Sequence, residues 1–264
     1  MDTSASEFPL QGRPEENCGG EGNTHEHSRT VSGERSAARE TGLVRKSNCL
    51  IWSHIAWTVL QHRVTAMLIA QLDSSSEEFE MHRFNVKELI PNRIEDNREI
   101  RPEDVCEQIF EQTIHTAPCE TIGEREYQGY NCFSTCRYDV QSGDIEAKFN
   151  NGMRAFLFGP DDNFTTYRLA EFMQLRSRYS MRIYELIKMK EEFGELALPV
   201  GELRSLIGCE DDVCSSLAEV EEKVLRPSQV EIRERCDTYF TYSTETEESG
   251  LETIHFTIHR SAPS

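Results

Sequence analysis

One succession of hydrophobic patterns occurs twice along this chain, and that recurrence constrains the fold more tightly than any single motif. In the first pass, Val59, Val64, Met67, Leu68 and Leu72 fall at near-helical spacing in "TVLQHRVTAMLIAQLD" and predict an amphipathic helix ending at Asp73. "MHRFNV" reads as a short strand and "KELIPN" as a brief helix stopped by Pro91. "RPEDVCEQIFEQTI" is a helix with Pro102 in its first turn, acidic residues near its start, and Val105, Ile109 and Phe110 on one face. Residues 130–149 then give two strands about Gly143. In the second pass "FTTYRLAEFMQL" is a short helix and "RYSMRIYELIKMKEEF" a longer one closed by Gly194. "ELALPV" is a strand, "GELRSLIG" a short helix, and "SSLAEVEEKVLRPSQVEIRERC" a third helix. "TYFTYSTETEESGLETIHFTIHR" closes the pass as a hairpin turning near Gly250. Helix, strand, helix, helix, hairpin is the order of a winged helix. The expected fold is therefore α+β, with two winged helices in tandem.

Residues 1–47 stand apart. They are Glu, Gly, Ser, Thr and Arg with almost no periodic apolar residue, too little buried surface to offset ordering, so a disordered tail is expected there. The expected organisation is a tail over 1–47, an N-terminal winged helix over 48–160 and a C-terminal one over 161–264.

Charge bears on partners. The chain holds 47 acidic and 28 basic residues, for a net charge of −19, and six of the basic residues are Lys. Abundant Glu, scarce Lys and a mean hydropathy of −0.59 resemble a surface adapted to high salt; an ordinary acidic protein is the alternative. A polyanion is normally attracted by positive charge, so this acidity counts against nucleic acid unless basic residues concentrate locally. The longest apolar run, around Val64–Ala70, is far short of the ~20 residues that span a bilayer. "MDTSASEFPL" lacks the basic start and apolar stretch of a signal peptide. Nine cysteines, an odd number without scaffold-like spacing, suggest a reducing, cytoplasmic setting.

In "SRYSMRIYELIK" the residues Tyr179, Ile183, Leu186 and Ile187 fall at i, i+4, i+7 and i+8, a buried stripe. Arg178, Arg182 and Glu185 occupy the adjoining face. In a winged helix this first long helix packs behind the one that enters the groove. Its arginines are therefore expected to pair with carboxylates or to brush a phosphate rather than read bases. The groove-entering helix begins at Ser216, where Ser216-Leu-Ala-Glu219 has the form of a capping box. Leu217, Val220, Val224, Leu225 and Ile232 make its buried face, and Glu219, Glu222, Lys223, Arg226 and Arg233 lie opposite. Lys223 and Arg226 are the residues expected to reach DNA, since Arg bonds guanine bidentately. Ser215 and Ser216 either cap the helix or meet a phosphate, and Arg204 on the preceding helix suits a backbone contact. In the N-terminal half, "RPEDVCEQIFEQTI" offers Arg101 and Gln108 or Gln112. Pro227 removes a backbone donor inside the third helix and is expected to kink it.

Several of these segments carry a resemblance. "FTTYRLAEFMQLRSRYSMRIYELIK", then "LPVGELRSLIG", "VEEKVLRPSQVEI" and a closing "IHFTIHR", resemble the plasmid replication initiator (Rep) family, and "LQHRVTAMLIAQLDS" is similar to the first helix of that family's N-terminal domain. The resemblance runs from about residue 54 to 260. It implies two winged helices that bind repeated origin DNA (iterons) and open the origin with host initiator and helicase-loading proteins. It also implies a homodimer in equilibrium with monomer that represses its own gene. The chain departs from that pattern at Glu221 and Glu222, where the family is usually basic, and at the wing tip "TETEES", whose carboxylates repel phosphates.

Other chemistries find less support. His25-Glu26-His27 could suggest the metal-binding pair of a nicking enzyme, but its middle residue is Glu and no tyrosine nucleophile accompanies it. Cys132/Cys136 and Cys209/Cys214 have spacings zinc tolerates, yet no clear partners lie nearby in sequence, which favours plain thiols. A Gly-rich phosphate loop and a Ser/His/Asp arrangement are both missing, so no catalytic residue, cofactor or metal is expected. The rival to an initiator is a winged-helix repressor or a protein-interaction module without an initiation role.

Overall fold

A computed structural model describes residues 42–73, 78–89, 102–116, 128–159, 161–209 and 214–261. Strand β1 (Leu43–Ser47) ends at Ser47, whose Oγ accepts from the Leu50 amide and so starts the one-turn helix α1 (Asn48–Ile51). Thr58 and Gln61 form a reciprocal capping box at the head of α2 (Val59–Ile69). Strand β2 (His82–Asn85) runs into a 3-10 turn (Val86–Glu88); then come α3 (Pro102–Phe110), β3 (Thr113–Thr116) and β4 (Gln128–Asn131). Strands β5 (Phe133–Asp139) and β6 (Asp144–Phe149) form a hairpin whose turn holds Gly143 at φ 73°, a left-handed conformation that glycine adopts without strain. The sheet order β2-β6-β5 completes the first winged helix, with the β3–β4 pair inserted ahead of its wing. A short helix α4 (Arg154–Leu157) follows.

The second winged helix repeats the plan. After β7 (Phe164–Arg168) and the one-turn α5 (Leu169–Phe172), Ser177 caps α6 (Arg178–Met189) by accepting from the Tyr179 and Ser180 amides. Strand β8 (Glu195–Pro199) and α7 (Val200–Leu206) lead to α8, a continuous rod made of Leu217–Val220, a π turn at Glu221–Leu225, and Arg226–Arg235. The π turn answers the expectation of a kink. Pro227 offers no N–H and its ring would strike the Lys223 carbonyl, and the chain widens just before it, the Arg226 amide reaching back to Glu221 O. The wing is β9 (Thr238–Thr246) with β10 (Glu252–Arg260), in the order β8-β10-β9.

Three expectations are corrected. "FTTYRLAEFMQL" is a strand before it is a helix: Phe164–Arg168 alternates buried and exposed residues and pairs antiparallel with Leu43–Ser47. Its β-branched Thr165 and Thr166 suit a pleat, and the ladder partner lies over a hundred residues away, where local periodicity carries no information. Consequently the tail does not extend to residue 47, because Leu43–Ser47 is that partner strand. Finally, α2 is not amphipathic but buried from Gln61 to Ile69. Part of its polar load is satisfied inside: Arg63 donates to the Leu89 and Leu175 carbonyls, and Gln112 donates to Thr65 Oγ1, while both His62 ring nitrogens and Arg63 Nε are buried without a hydrogen-bond partner among the described residues.

The two halves meet across α6. Ile183, Leu186 and Ile187 are at most 1 % exposed, and burial of each stabilises the fold by about 1.5–3 kcal/mol. Beside that stripe Glu185 accepts from Lys46 Nζ at 2.6 Å, from Tyr167 OH at 2.7 Å and from Arg182 Nη1 at 2.7 Å. Arg182 also donates to the carbonyls of Ile51, Ser53 and Leu206, so one guanidinium ties α6 to the N-terminal half and to α7. Nearby, Gly208 (φ 62°) lies so close to Ala56 that a Cβ there would stand 2.6 Å from its Cα.

Candidate nucleic-acid interface

The outer face of α8 is built by its own cap and periodicity. Val220, Val224, Leu225 and Ile232 are fully buried against the second core, which turns Glu222, Lys223, Arg226, Val230 and Arg233 outward. Ser216 Oγ accepts from the Glu219 amide as the cap predicts. The return bond departs from the motif: Glu219 Oε2 accepts from both the amide and the hydroxyl of Ser215, each at 2.7 Å. Its other oxygen pairs with Lys223 Nζ at 2.7 Å. Those hydrogen bonds, from Lys223 first and then Ser215, draw the Glu219 carboxyl down to about 2, and the same contact raises Lys223. Lys223 thus presents a charge already offset by its i−4 neighbour. Arg226 is exposed and makes no ion pair among the described residues. Arg233 is exposed too, with its guanidinium 5.3 Å over the Tyr239 ring.

The fold gathers three further sequence candidates. Arg204 of α7, Ser215 and Ser216 at the head of α8, and Gly250, Leu251 and Glu252 of the wing line one cleft of about 180 Å³. At this corner the Arg204 guanidinium and the Ser216 hydroxyl face Glu252 across the cleft, while the Ser215 hydroxyl is already given to Glu219. The wing beyond is acidic, with Glu245, Glu247 and Glu248 all exposed.

Other candidates go elsewhere. Arg182 is fully buried in the ion cluster, so it cannot meet a phosphate. Arg178 is half-buried, stacked 4.8 Å over Tyr179 and bonded to Tyr179 OH and Gly208 O, which fixes it beside the turn after α7 rather than on the groove face. Arg101, His25 and His27 lie outside the described residues. Both candidate glutamines, Gln108 on α3 and Gln112 just past its end, are tied to α2 or its cap. Gln108 Oε1 accepts from Thr58 Oγ1 and its backbone carbonyl from Gln61, while Gln112 is 1 % exposed. Phe110, expected on the buried face, is 50 % exposed, because α3 ends at that residue and the chain turns into β3. The thiols of Cys132, Cys136, Cys209 and Cys214 are free and buried, with Cys106 and Cys236 also free; Cys49 is disulfide-bonded, contrary to a wholly reduced set. Among the described residues no helix is long and apolar enough to cross a membrane.

Residues 43–188, more than half of the chain, match the family model described as initiator replication protein, WH1. The chain belongs to the plasmid replication initiator family. No curated protein matches it in sequence. Among solved structures it is similar to the Pi initiator protein in complex with iteron DNA, at 18 % identity and a TM-score of 0.65, over 85 % of this chain and 99 % of that one. The shared fold spans both winged helices. The initiator family match ends inside α6, so α7, α8 and the second wing rest on the tertiary structure.

Two features of this initiator's site escaped the linear reading. The offset of Lys223 was visible in principle, since Glu219 stands four residues ahead of it, the favourable order on a helix. Val230, 56 % exposed between Arg226 and Arg233, was a helix position without a neighbour to assign it.

Proposed function

We propose that this initiator binds repeated duplex DNA at a plasmid origin, reading each repeat chiefly through α8, and thereby starts replication. The observation that carries the reading is the exposed face of α8, where Arg226 stands unpaired among the described residues between Lys223 and Arg233 on a winged-helix scaffold. In the major groove, Arg226 would bond O6 and N7 of a guanine, and Arg204 with the Ser216 hydroxyl would hold the flanking phosphate. The acidic wing tip, with Glu245, Glu247 and Glu248, would repel the backbone and stay clear of it. Two winged helices in one chain suit a repeat about two helical turns long. A homodimer in exchange with monomer, recruitment of host initiator and helicase-loading proteins, and repression of the chain's own gene belong to the same proposal.

The charge of −19 is compatible with this role in a salty cytoplasm. There, counterion release adds little free energy, and hydrogen bonding and shape readout carry the binding. The test is footprinting of the purified chain on duplex with direct repeats, from about 0.1 M to molar KCl. Protection of each repeat, with affinity nearly flat across the series, is expected. No protection at any salt concentration overturns the initiator reading; steep loss with salt overturns only the account of the charge.

A further inference from the structure

The N-terminal winged helix holds two sulfurs poised against each other. Cys106 lies on α3 and Cys136 on β5, thirty residues apart in sequence, and their Sγ atoms are 3.1 Å apart, about 1 Å beyond the ~2.05 Å of a disulfide bond. The two elements that carry them are held in place. Helix α3 is held to α2 through Gln61 and Gln108, and β5 is laddered to β6. We propose that Cys106 and Cys136 form an oxidisable dithiol that a low-molecular-weight disulfide such as oxidised glutathione converts to a disulfide, stapling the third helix of this domain to its wing.

Cys106 is the entry point, being half-buried where Cys136 is 9 % exposed. The Cys106 thiolate attacks one sulfur of the oxidant and expels a glutathione thiolate, leaving a mixed disulfide on Cys106. The Cys136 thiol then loses its proton to solvent and attacks Cys106 Sγ, expelling the second glutathione thiolate. Two protein thiols are oxidised and one glutathione disulfide is reduced to two thiols. Burial holds both cysteines above the ordinary thiol range, Cys136 more strongly, so little thiolate exists at neutral pH. The staple therefore forms slowly at pH 7, and roughly tenfold faster per pH unit of alkalinity.

The test uses the full chain, folded, incubated with oxidised glutathione at pH 7 and 8.5. Acid quenching, denaturation, alkylation and peptide mass spectrometry follow. A linked Cys106–Cys136 peptide is expected, faster at pH 8.5, with the buried Cys132 recovered alkylated as an internal control. Cys136→Ser should stop at glutathionylated Cys106. In the wild type, recovery of both thiols alkylated at pH 8.5, or of a lasting mixed disulfide on Cys106, overturns the proposal without recourse to any variant.

Discussion

Replacing Glu185 by Gln keeps the side chain's size and deletes the one negative charge from a site that holds two cations. Lys46 Nζ stands 2.6 Å from one carboxylate oxygen and Arg182 Nη1 2.7 Å from the other, and none of the three side chains exceeds 2 % exposure. Removing one partner of a buried pair costs about 3–5 kcal/mol, and here a single carboxylate serves two partners. The loss is bounded because Arg182 keeps its carbonyl acceptors at Ile51, Ser53 and Leu206. About 4 kcal/mol is therefore expected, a large part of the ~5–15 kcal/mol that holds an ordinary domain. In urea unfolding at pH 7 the midpoint should fall by about 1–2 M with its slope unchanged. The pH dependence supplies a signature. Burial pushes the Glu185 carboxyl up, but Lys46 and Arg182 outweigh it and hold it at about 2. A carboxylate lowered on folding stabilises fully above its unfolded value, ~4.3, and loses that contribution as pH falls through its folded one. The gap between wild type and Glu185→Gln should stay constant from pH 7 to about 4.5 and shrink only below. Adding Lys46→Met should recover part of the loss, since it removes one stranded cation. A midpoint within about 0.3 M of wild type, or a gap that closes between pH 7 and 5, would refute the reasoning.

Other outcomes follow from the same geometry. Arg226→Ala should weaken binding to a cognate repeat by about 1–3 kcal/mol and relax preference at one base pair, seen by gel shift with single-substituted repeats. Glu219→Gln should free Lys223, raise DNA affinity at low salt, and steepen the log–log salt slope by roughly 0.9. His62, wedged between the Trp57 and Phe172 rings, is held down to about 3 chiefly by burial. The unfolded chain therefore gains a proton below about pH 6.5 that the native state refuses, and stability falls as pH drops. From pH 7 to 5, wild type should lose about 2 kcal/mol more than His62→Phe in urea titrations. Gly208→Ala should cost more than about 2 kcal/mol, since its Cβ would meet Ala56 and the Ile55 carbonyl at φ 62°; Gly194→Ala, at φ 73° with open space around it, should cost about 1 kcal/mol. Equal midpoints for the two glycine variants would remove the packing argument.

Much of this initiator was legible along the chain, for a physical reason. Helical and strand periods, Ser216 as a cap, and glycines at the two hairpin turns are local properties, and they placed both winged helices and put Lys223, Arg226 and Arg233 on the outer face of α8. Even the bond from Glu219 to Lys223 was within reach, at four residues' spacing. Periodicity reports a residue's angle about its own helix; whether a second layer covers that angle depends on distant chain. Arg182 and Arg226 look alike in sequence, each a basic residue flanking an apolar stripe. Strand β1 and the loop at Ile51–Ser53 close over the first, and nothing among the described residues closes over the second. The same dependence turned Phe164–Arg168 into a strand, withdrew Gln112 from the surface, and brought Arg204 to the cleft at the head of α8. Local chemistry chose the elements, and long-range packing chose which charges face water.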